Sequence, residues 1–215
     1  MKVAVGLNEF NEKENLEITL PQLKDFDLVI VVDGKYPHFD YPSDFSNDGG
    51  IDLVHRYGNT IIIKASDNQI VKRNEYLNLA GGLGYDFLLV LDADMSVKVD
   101  WEEFREHLKS LKMDDYLAYN VQFSVCEQQW PFALLYKPDR IEYHDIHHVL
   151  RCRKCHMEID CTQQHTPDVK GITIYHRQSH RSKEWEVAKR DYQLWKLCHE
   201  NKARKERGMT EVMMR

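Results

Sequence analysis

Long hydrophobic runs are missing from this sequence of 215 residues, and their absence excludes a helix that spans a bilayer. Residues 1–7 become polar too soon for a signal peptide, so we expect a cytoplasmic protein. Cysteine is also scarce, and five residues, an odd number, argue against a disulfide framework. The net charge of −6 gives no overall attraction to nucleic acid or to anionic membranes, although basic residues gather between Arg177 and Arg207.

Two common phosphate-binding motifs are absent as well. No Gly-rich loop ends in Gly-Lys-Ser or Gly-Lys-Thr, and the glycines of residues 81–84 precede a strand, whereas those of a dinucleotide fingerprint follow one. A hydrophobic content of 42% and an aromatic content of 11% are those of a globular protein. The length fits one domain, 1–215, built around a single sizeable core.

The most informative stretch is Tyr85–Asp94, in which five consecutive apolar residues run into two acidic ones. This pattern predicts a strand buried on both faces, and Asp92 and Asp94 would lie on one side if the strand continued through them. Two carboxylates on one side repel each other unless a cation or donors lie between them. Oxygen ligands favour Mg²⁺ or Mn²⁺ bound together with substrate phosphates. The alternative is that one Asp caps a following helix and the other is solvated.

Apolar runs and helical patterns alternate along the first half of the chain. Such alternation predicts an α/β fold with a mostly parallel central sheet flanked by helices. The predicted strands cover residues 2–7, 27–32, 60–64 and 85–94. The predicted helices cover residues 11–23, with Asn11 as the N-cap, 51–57 and 69–83. Residues 36–50, rich in Pro, Asp, Ser and Gly, are predicted to form a loop.

The pattern changes after residue 100. We predict a helix at 101–111, strands at 116–126, 131–137, 140–143 and 171–175, and a polar irregular segment at 152–170. The first two of these strands are expected to pair as a small antiparallel portion near the functional end of the sheet. A helix from 182 to about 207 carries an aromatic stripe that is expected to dock on the sheet.

Several short motifs follow one another in a characteristic order. They are Asn8-Glu9 and Asp33-Gly34 at strand ends, Lys72-Arg73-Asn74 at a helix start, Leu91-Asp92-Ala93-Asp94, the segment from Lys137-Pro138-Asp139-Arg140 to Ile146-His147-His148-Val149-Leu150, and Ile174-Tyr175-His176 followed by Lys189-Arg190-Asp191-Tyr192. In this order they resemble the family 2 glycosyltransferases, which use nucleotide sugars and have the GT-A fold, a Rossmann-like arrangement. The resemblance spans about residues 2–197.

The resemblance implies an active site built around a divalent cation. Asp94 would be a direct metal ligand, Asp92 a ligand or a ribose contact, and His176 the third protein ligand. The ion would be Mn²⁺ or Mg²⁺, and imidazole is the more usual with Mn²⁺. The cation and cationic side chains would neutralise the charge that develops on the departing diphosphate.

The resemblance also implies a nucleotide-sugar donor, with a UDP-sugar expected. Asp33 is similar to the carboxylate that accepts a hydrogen bond from the base, and Glu9 lies where relatives touch the nucleoside. Lys72, Arg73 and Asn74 open a helix whose N-terminus favours a phosphate. For Lys72 and Arg73 the alternative is a solvated charged face.

The sequence departs from the family pattern in two places. In relatives, Gly-Ser and a second Asp follow the Asp of the second strand directly, whereas here Asp48-Gly49-Gly50-Ile51-Asp52 comes after an apparent insertion, Lys35–Asn47. Which Asp meets the base is therefore left open by the sequence. A His-His pair also replaces the His-Glu of relatives. A general base must lie within hydrogen-bond reach of the acceptor hydroxyl. The candidates are His147, which aligns best, Glu127 as the second choice, His148 and Asp145.

The cysteines suggest a separate site. Cys152-Arg153-Lys154-Cys155-His156 matches the pattern for attachment of c-type haem, which we reject because nothing indicates export. Cys152, Cys155, Cys161 and His165 could instead form a structural Zn²⁺ site of the Cys3His type. The alternative is a set of reduced, free thiols.

The sequence therefore predicts a metal-dependent glycosyltransferase that transfers a sugar to a hydroxyl group, with inversion. The acceptor would be a protein, a glycan, a small molecule or a modified nucleobase of DNA. Residues 1–100 would form the nucleotide-binding half, 101–181 the half that completes the acceptor and metal sites, and 182–215 a C-terminal helix and tail. One alternative is a sugar nucleotidyltransferase, although no Gly-rich loop with a Lys follows the first strand. The other is a nucleic-acid- or partner-binding module that uses the basic stretch 177–207.

Overall fold

The computed structural model describes residues 1–37, 39–111, 116–125, 128–145, 149–160 and 166–177. Within these ranges, eight strands form one large sheet, and three more form a small second sheet. The mostly parallel α/β fold predicted from the sequence is confirmed.

The parallel half of the large sheet carries the chain's most apolar runs. It consists of β1 (Val3–Glu9), β2 (Leu28–Asp33), β3 (Thr60–Lys64) and β4 (Phe87–Asp92), with β1 between β2 and β4. All residues of β1 and β2 are buried, as expected for strands covered on both faces. Because these strands are parallel, Glu9, Asp33 and Asp92 end at the same edge of the sheet.

The other half of the sheet is mixed. It consists of β5 (Met95–Val99), β6 (Ala118–Val125), β7 (Gln128–Tyr136) and β11 (Asp168–His176). β7 joins β4 and β6 in antiparallel pairs, β6 runs parallel to β11, and β11 runs antiparallel to β5. The small sheet contains β8 (Ile141–Asp145), β9 (Val149–Cys152) and β10 (Glu158–Asp160).

Helices cover both faces of the large sheet. One core cluster joins the sheet to α1 (Lys13–Thr19), the 3₁₀ turn Leu20–Leu23, α2 (Gly50–Val54) and α4 (Trp101–Leu111). The second cluster joins the other face to α3 (Gln69–Gly82) and to β8 and β9. Asn68 caps α3, since its side chain accepts a hydrogen bond from the Val71 N–H at 3.0 Å.

Three sequence predictions about these elements are wrong. Asn11 does not cap α1: its backbone is left-handed, with φ of 50°, which Asn tolerates better than most residues, and the N-cap is Glu12. The long strand predicted to include Asp94 ends at Asp92, and a turn at Ala93-Asp94 leads into β5, which the sequence analysis missed. The segment 152–170 is not wholly irregular, because β10 and the start of β11 lie in it.

The remaining predicted elements agree closely with the structure where it describes them. Residues 36–50 contain no strand and no helix before Gly50 among those described, and α4 has the predicted bounds. The helix predicted at 182–207 lies outside the described residues. No helix in the described part of the chain is long and apolar enough to cross a membrane.

Candidate active site

The Asp94 carboxylate and the His176 imidazole lie together at the carboxyl edge of the sheet. β5 follows the Ala93-Asp94 turn directly and pairs with β11, so that Met95 stands opposite His176. This register places Nε2 of His176 3.7 Å from Oδ2 of Asp94. The Asp94 side chain is 4% exposed, while that of His176 is 41% exposed and therefore faces the solvent side of the pair. Two residues 82 positions apart in the sequence thus meet where the resemblance placed them.

Asp92 points to a different partner. One of its carboxylate oxygens lies 3.7 Å from Nη2 of Arg73, and its side chain remains 39% exposed. The change of direction follows from the end of β4 at Asp92, because the next two residues turn instead of continuing the strand. The two acidic residues therefore flank a turn, with one beside an imidazole and the other beside a guanidinium.

The donor set suits a hard or borderline cation that shares its shell with a ligand. Two atoms bound to one ion at roughly 2.1 Å each can be up to about 4 Å apart, which accommodates the 3.7 Å separation of Asp94 and His176. The described residues hold no cluster of three His, Cys, Asp or Glu side chains arranged for a metal. Oxygens of a bound phosphate would have to supply further ligands, as is common for Mg²⁺ and Mn²⁺ sites.

Asn8 adds a buried polar group at the same edge. Its backbone is in register with Asp92 on β4, and its side chain is only 4% exposed. Neither the nitrogen nor the oxygen of its amide has a hydrogen-bond partner among the described residues. Burying an amide without partners is costly, so Asn8 is a polar group that the described residues leave unsatisfied.

Hydrogen bonds from Arg177 support the turn that carries Asp94. Nη2 of Arg177 donates to the backbone oxygens of Ala93 (3.0 Å) and Asn15 (3.2 Å) and to the Thr19 hydroxyl (2.6 Å). The Thr19 hydroxyl contacts the carbonyls of Ala93 and Met95, both at 2.8 Å. The backbone N–H of Arg177 also donates to the Asp94 carbonyl at 2.9 Å. One cationic side chain therefore ties α1 to both ends of the turn.

Glu9 and Asp33 end neighbouring strands, and both are almost wholly buried, at 1% and 0% exposure. Their carboxyl groups meet at the hydroxyl of Ser46, which lies 2.8 Å from Glu9 Oε2 and 2.6 Å from Asp33 Oδ1. Burial raises the pKa of Glu9 to about 8, and the nearby charges of Asp33, Glu12 and Asp48 act in the same direction. The segment Lys35–Asn47 thus ends against the two residues that the resemblance assigns to the nucleoside.

The Lys72 side chain is buried between the ends of β1 and β2 and does not reach solvent. Its ammonium donates to the carbonyls of Gly34 (2.6 Å) and Glu9 (3.2 Å) and lies 4.7 Å from the ring centre of Tyr36. Burial lowers the pKa of Lys72 to about 8, although the carboxylates of Glu9 and Asp33 oppose that shift. The solvated charged face considered as an alternative is therefore wrong for Lys72, which is 0% exposed.

Arg73 and Asn74 connect α3 to the small sheet. The Arg73 guanidinium lies 5.2 Å from the ring centre of Tyr143 and is 5% exposed, so the solvated alternative is wrong for Arg73 too. The amide of Asn74 makes two hydrogen bonds to the backbone of Tyr143, donating at 2.9 Å and accepting at 2.7 Å. Arg73 therefore remains beside Asp92, whereas the Asn74 side chain fixes the position of β8.

The proposed general bases are not placed by the structure. Glu127, His147 and His148 lie outside the described residues, and Asp145 is described only as the backbone end of β8. Of the proposed zinc ligands, Cys152 ends β9 and Cys155 lies in the following turn, both as free thiols. Cys161 and His165 lie outside the described residues, so nothing in the described part of the chain supports the zinc site.

Sequence reasoning missed Ser46, Arg177 and Tyr143. Ser46 had a usable signal, because Ser46-Asn47-Asp48 supplies a Ser and a second Asp, as in relatives, after the apparent insertion. Arg177 directly follows the predicted ligand His176 and could have been noticed for that reason. Tyr143 carries no motif, and only the packing of β8 on α3 reveals it.

Comparison with solved structures identifies the fold. A crystal structure of GalNAc-T7 with UDP, GalNAc and Mn²⁺ matches with a TM-score of 0.52 at 10% identity, over 83% of this chain and 44% of that one. Two crystal structures of residues 1–349 of S. aureus TarS, one in complex with UDP-GlcNAc, match with TM-scores of 0.45 at 20% identity. They cover 60% of this chain and 38% and 36% of theirs.

This chain spans less than half the length of each of these structures. Neither protein-family models nor curated protein sequences give a match. The structural likeness shows that the chain has the GT-A fold, as the motif order implied.

Proposed function

We propose that this chain is a metal-dependent glycosyltransferase that transfers a sugar from a UDP-sugar to an acceptor hydroxyl, with inversion at the anomeric carbon. The observation that carries the proposal is the pairing of Asp94 with His176 at the carboxyl edge of a GT-A sheet. Ligands of open α/β sheets bind at this edge. GalNAc-T7, which shares the fold, was crystallised with UDP and Mn²⁺, so these are the first ligands to test.

The residues of the site divide the work of the reaction. Asp94 and His176 would hold Mn²⁺ or Mg²⁺, with Asp92 contributing a further oxygen or a contact to ribose. A bound ion would neutralise the charge that develops on the leaving diphosphate. Arg73, buried beside Asp92, adds a fixed positive charge at the same place and cannot lose it near neutral pH.

The acceptor hydroxyl must lose a proton during the attack. His147 remains our first choice for the general base, with Glu127, His148 and Asp145 as the other candidates. A His base operates well near neutral pH because its ordinary pKa is about 6.5. The Asn74 amide holds the Tyr143 backbone of β8, the strand that precedes His147 and His148 in the sequence.

A basic binding module is less favoured. Arg177, the first residue of the basic stretch, is half-buried, and its Nη2 is bonded within the protein to Asn15, Thr19 and Ala93. The rest of that stretch lies outside the described residues.

Thermal unfolding in the presence of nucleoside diphosphates tests the proposal. We expect UDP to raise the melting temperature, and UDP with Mn²⁺ to raise it further, because a ligand that binds only the folded state stabilises it. Asp94→Asn should abolish the part of the shift that depends on Mn²⁺ and leave the metal-free melting temperature nearly unchanged.

Asp139→Asn is the matched control, since Asp139 is exposed and follows β7 outside the site. It should behave as the unmodified protein does. Equal shifts with every nucleoside diphosphate, or a Mn²⁺ effect that persists in Asp94→Asn, would contradict the proposed donor site. A salt-sensitive shift with DNA alone would favour the binding module instead.

A further inference from the structure

One serine hydroxyl stands between two buried acids. Oγ of Ser46 lies 2.8 Å from Oε2 of Glu9 and 2.6 Å from Oδ1 of Asp33, and both distances are those of hydrogen bonds. The same oxygen accepts a hydrogen bond from the backbone N–H of Asn11 at 2.8 Å. Three groups therefore converge on a hydroxyl that can donate only one hydrogen.

Counting the hydrogens shows that a proton is required. The Asn11 N–H uses one lone pair of the Ser46 oxygen, and the Ser46 hydroxyl hydrogen can point to only one of the two carboxyl groups. If both acids were ionised, the other contact would set two oxygen lone pairs against each other inside the protein. The arrangement is satisfied when one carboxyl group is protonated and donates to the Ser46 oxygen.

The surroundings show which acid carries this proton. Asp33 also accepts from the backbone N–H of Ser46, at 3.1 Å to Oδ1 and 3.4 Å to Oδ2, so its carboxyl group is reached by both the N–H and the hydroxyl of Ser46. Among the described residues, the other oxygen of Glu9 receives one long contact, from the Glu12 N–H at 3.5 Å. Glu9 is therefore the acid that is better served by a proton.

The charged groups around Glu9 agree with this assignment. Asp33 on β2, Glu12 before α1 and Asp48 before α2 are acidic and disfavour a further charge on Glu9. The Lys72 ammonium on α3 donates to the backbone oxygen of Glu9 at 3.2 Å. Together with burial, these acids raise the pKa of Glu9 to about 8.

We propose that Glu9 is a neutral carboxylic acid at physiological pH that positions Ser46, and with it the C-terminal end of the Lys35–Asn47 segment, at the donor site. Glu9 is then a positioning residue that acts through Ser46. The functional meaning of this role rests on the proposed glycosyltransferase activity, whereas the protonation of Glu9 does not.

Other contacts show that this end of the segment is held as one unit. The Asn47 N–H donates to Oδ1 of Asn11 at 2.9 Å, and Asp48 accepts from the Lys13 N–H at 2.8 Å. A Cβ on Gly50 would lie 2.8 Å from Oε1 of Glu9, so the start of α2 lies in close contact with the acid. Displacing Ser46 would therefore disturb the whole connection between β2 and α2.

The decisive comparison is between Glu9→Gln and Glu9→Ala. A Gln amide donates a hydrogen bond as a neutral carboxylic acid does, so Glu9→Gln should retain most of the metal-free stability and weaken the affinity for UDP with Mn²⁺ less than Glu9→Ala does. Glu9→Ala removes the donor, and we expect it to weaken UDP binding roughly 5- to 30-fold while changing the turnover number less. Glu17→Gln, on the exposed face of α1, is the matched control.

The pH dependence gives a readout that a neutral packing role would not affect. A Glu whose pKa is about 8 when folded and 4.5 in the reference state binds more protons in the folded protein between these pH values. The melting temperature of the ligand-free protein should therefore fall from pH 5 to pH 8, and Glu9→Gln should flatten this fall. Infrared spectra at pH 7 should show the C=O band of a protonated carboxylic acid, and Glu9→Gln should lack it.

The proposal is overturned if Glu9→Gln is as damaging as Glu9→Ala, or if the substitution leaves both the pH dependence and the infrared band unchanged. The pH-dependence and infrared measurements need no nucleotide, so they remain informative if the proposed function fails. Normal protonation of Glu9 with no effect of Glu9→Ala on UDP binding would overturn the positioning role alone.

Discussion

At the scale of single residues, the position of each charged side chain in the site depends on the backbone and side-chain groups that it contacts. The Lys72 ammonium donates to the carbonyls of Gly34 and Glu9 and so links the ends of two strands. Arg73, one position further on, turns its charge towards Asp92. Adjacent cationic residues that look alike in the sequence thus have different roles, because successive positions of a helix point about 100° apart.

Arg177 is the residue whose substitution tests the support of the Asp94 turn. Arg177→Met should leave the Ala93 carbonyl and the Thr19 hydroxyl without their charged donor and lower the free energy of unfolding by about 1–3 kcal/mol. We also expect weaker Mn²⁺ binding, because the turn would no longer hold Asp94 against His176. Chemical denaturation and titration with Mn²⁺ followed by electron paramagnetic resonance measure the two effects.

Arg177→Lys is the informative companion substitution. An ammonium can keep one or two of these hydrogen bonds but cannot reproduce the planar guanidinium, so partial recovery of both stability and Mn²⁺ affinity is expected. Mn²⁺ affinity that is unchanged in Arg177→Met would show that the hydrogen bonds of Arg177 do not matter to the proposed metal ligands.

At the scale of elements, the close contact of β1 with α3 determines where the first turn of α3 lies in the site. A Cβ added at Gly6 would lie 2.6 Å from the ring of Tyr76, so only glycine lets α3 approach the strand this closely. This approach brings the first turn of α3, with Lys72 and Arg73, against the ends of β1 and β4. Gly6 matters because the Tyr76 ring packs where a side chain would otherwise lie.

Gly6→Ala should therefore destabilise the protein by about 1–3 kcal/mol, the usual cost of forcing extra volume into a packed core. Gly82→Ala is the control, because no atom lies within 4 Å of its added Cβ and alanine favours the helix by up to about 1 kcal/mol. Urea denaturation of the two variants should give changes of opposite sign. Equal and small changes would show that α3 can shift without cost.

At the scale of the whole molecule, the large sheet combines a rigid parallel half with a mixed half that brings distant residues back to it. β1 and β4 are central and buried on both faces. The small sheet of β8, β9 and β10 contacts the rest of the protein mainly where β8 packs on α3. Stability should be distributed in the same way, because buried central strands open only when the protein unfolds globally.

Amide hydrogen exchange measures this distribution. The N–H groups of Val5, Leu7, Leu89 and Leu91 should be among the slowest to exchange, and those of β10 much faster. UDP with Mn²⁺ should slow exchange at the Ala93-Asp94 turn and around Ser46 without altering β10. Protection spread evenly over both sheets would contradict this two-part organisation.

The sequence by itself determined the elements whose signal is local. Apolar runs such as 87–91 predict buried strands wherever they occur, and the order of acidic strand ends was enough to expect the GT-A fold. Short strands such as β5 and β10 escaped prediction because three to five residues of mixed polarity carry little periodic signal. Capping by Asn11 was mispredicted because a distant segment, at Asn47, uses that side chain.

Tertiary structure alone decided which side chains meet. The 3.7 Å approach of His176 to Asp94 depends on the register between β5 and β11, and a shift of one residue would turn the imidazole to the other face of the sheet. The proton that we assign to Glu9 likewise follows from where Ser46 lies, 37 positions along the chain. Local sequence specifies strands and helices because their hydrogen bonds and periodicity are local, whereas the charge state and partner of a buried side chain depend on groups that only folding brings close.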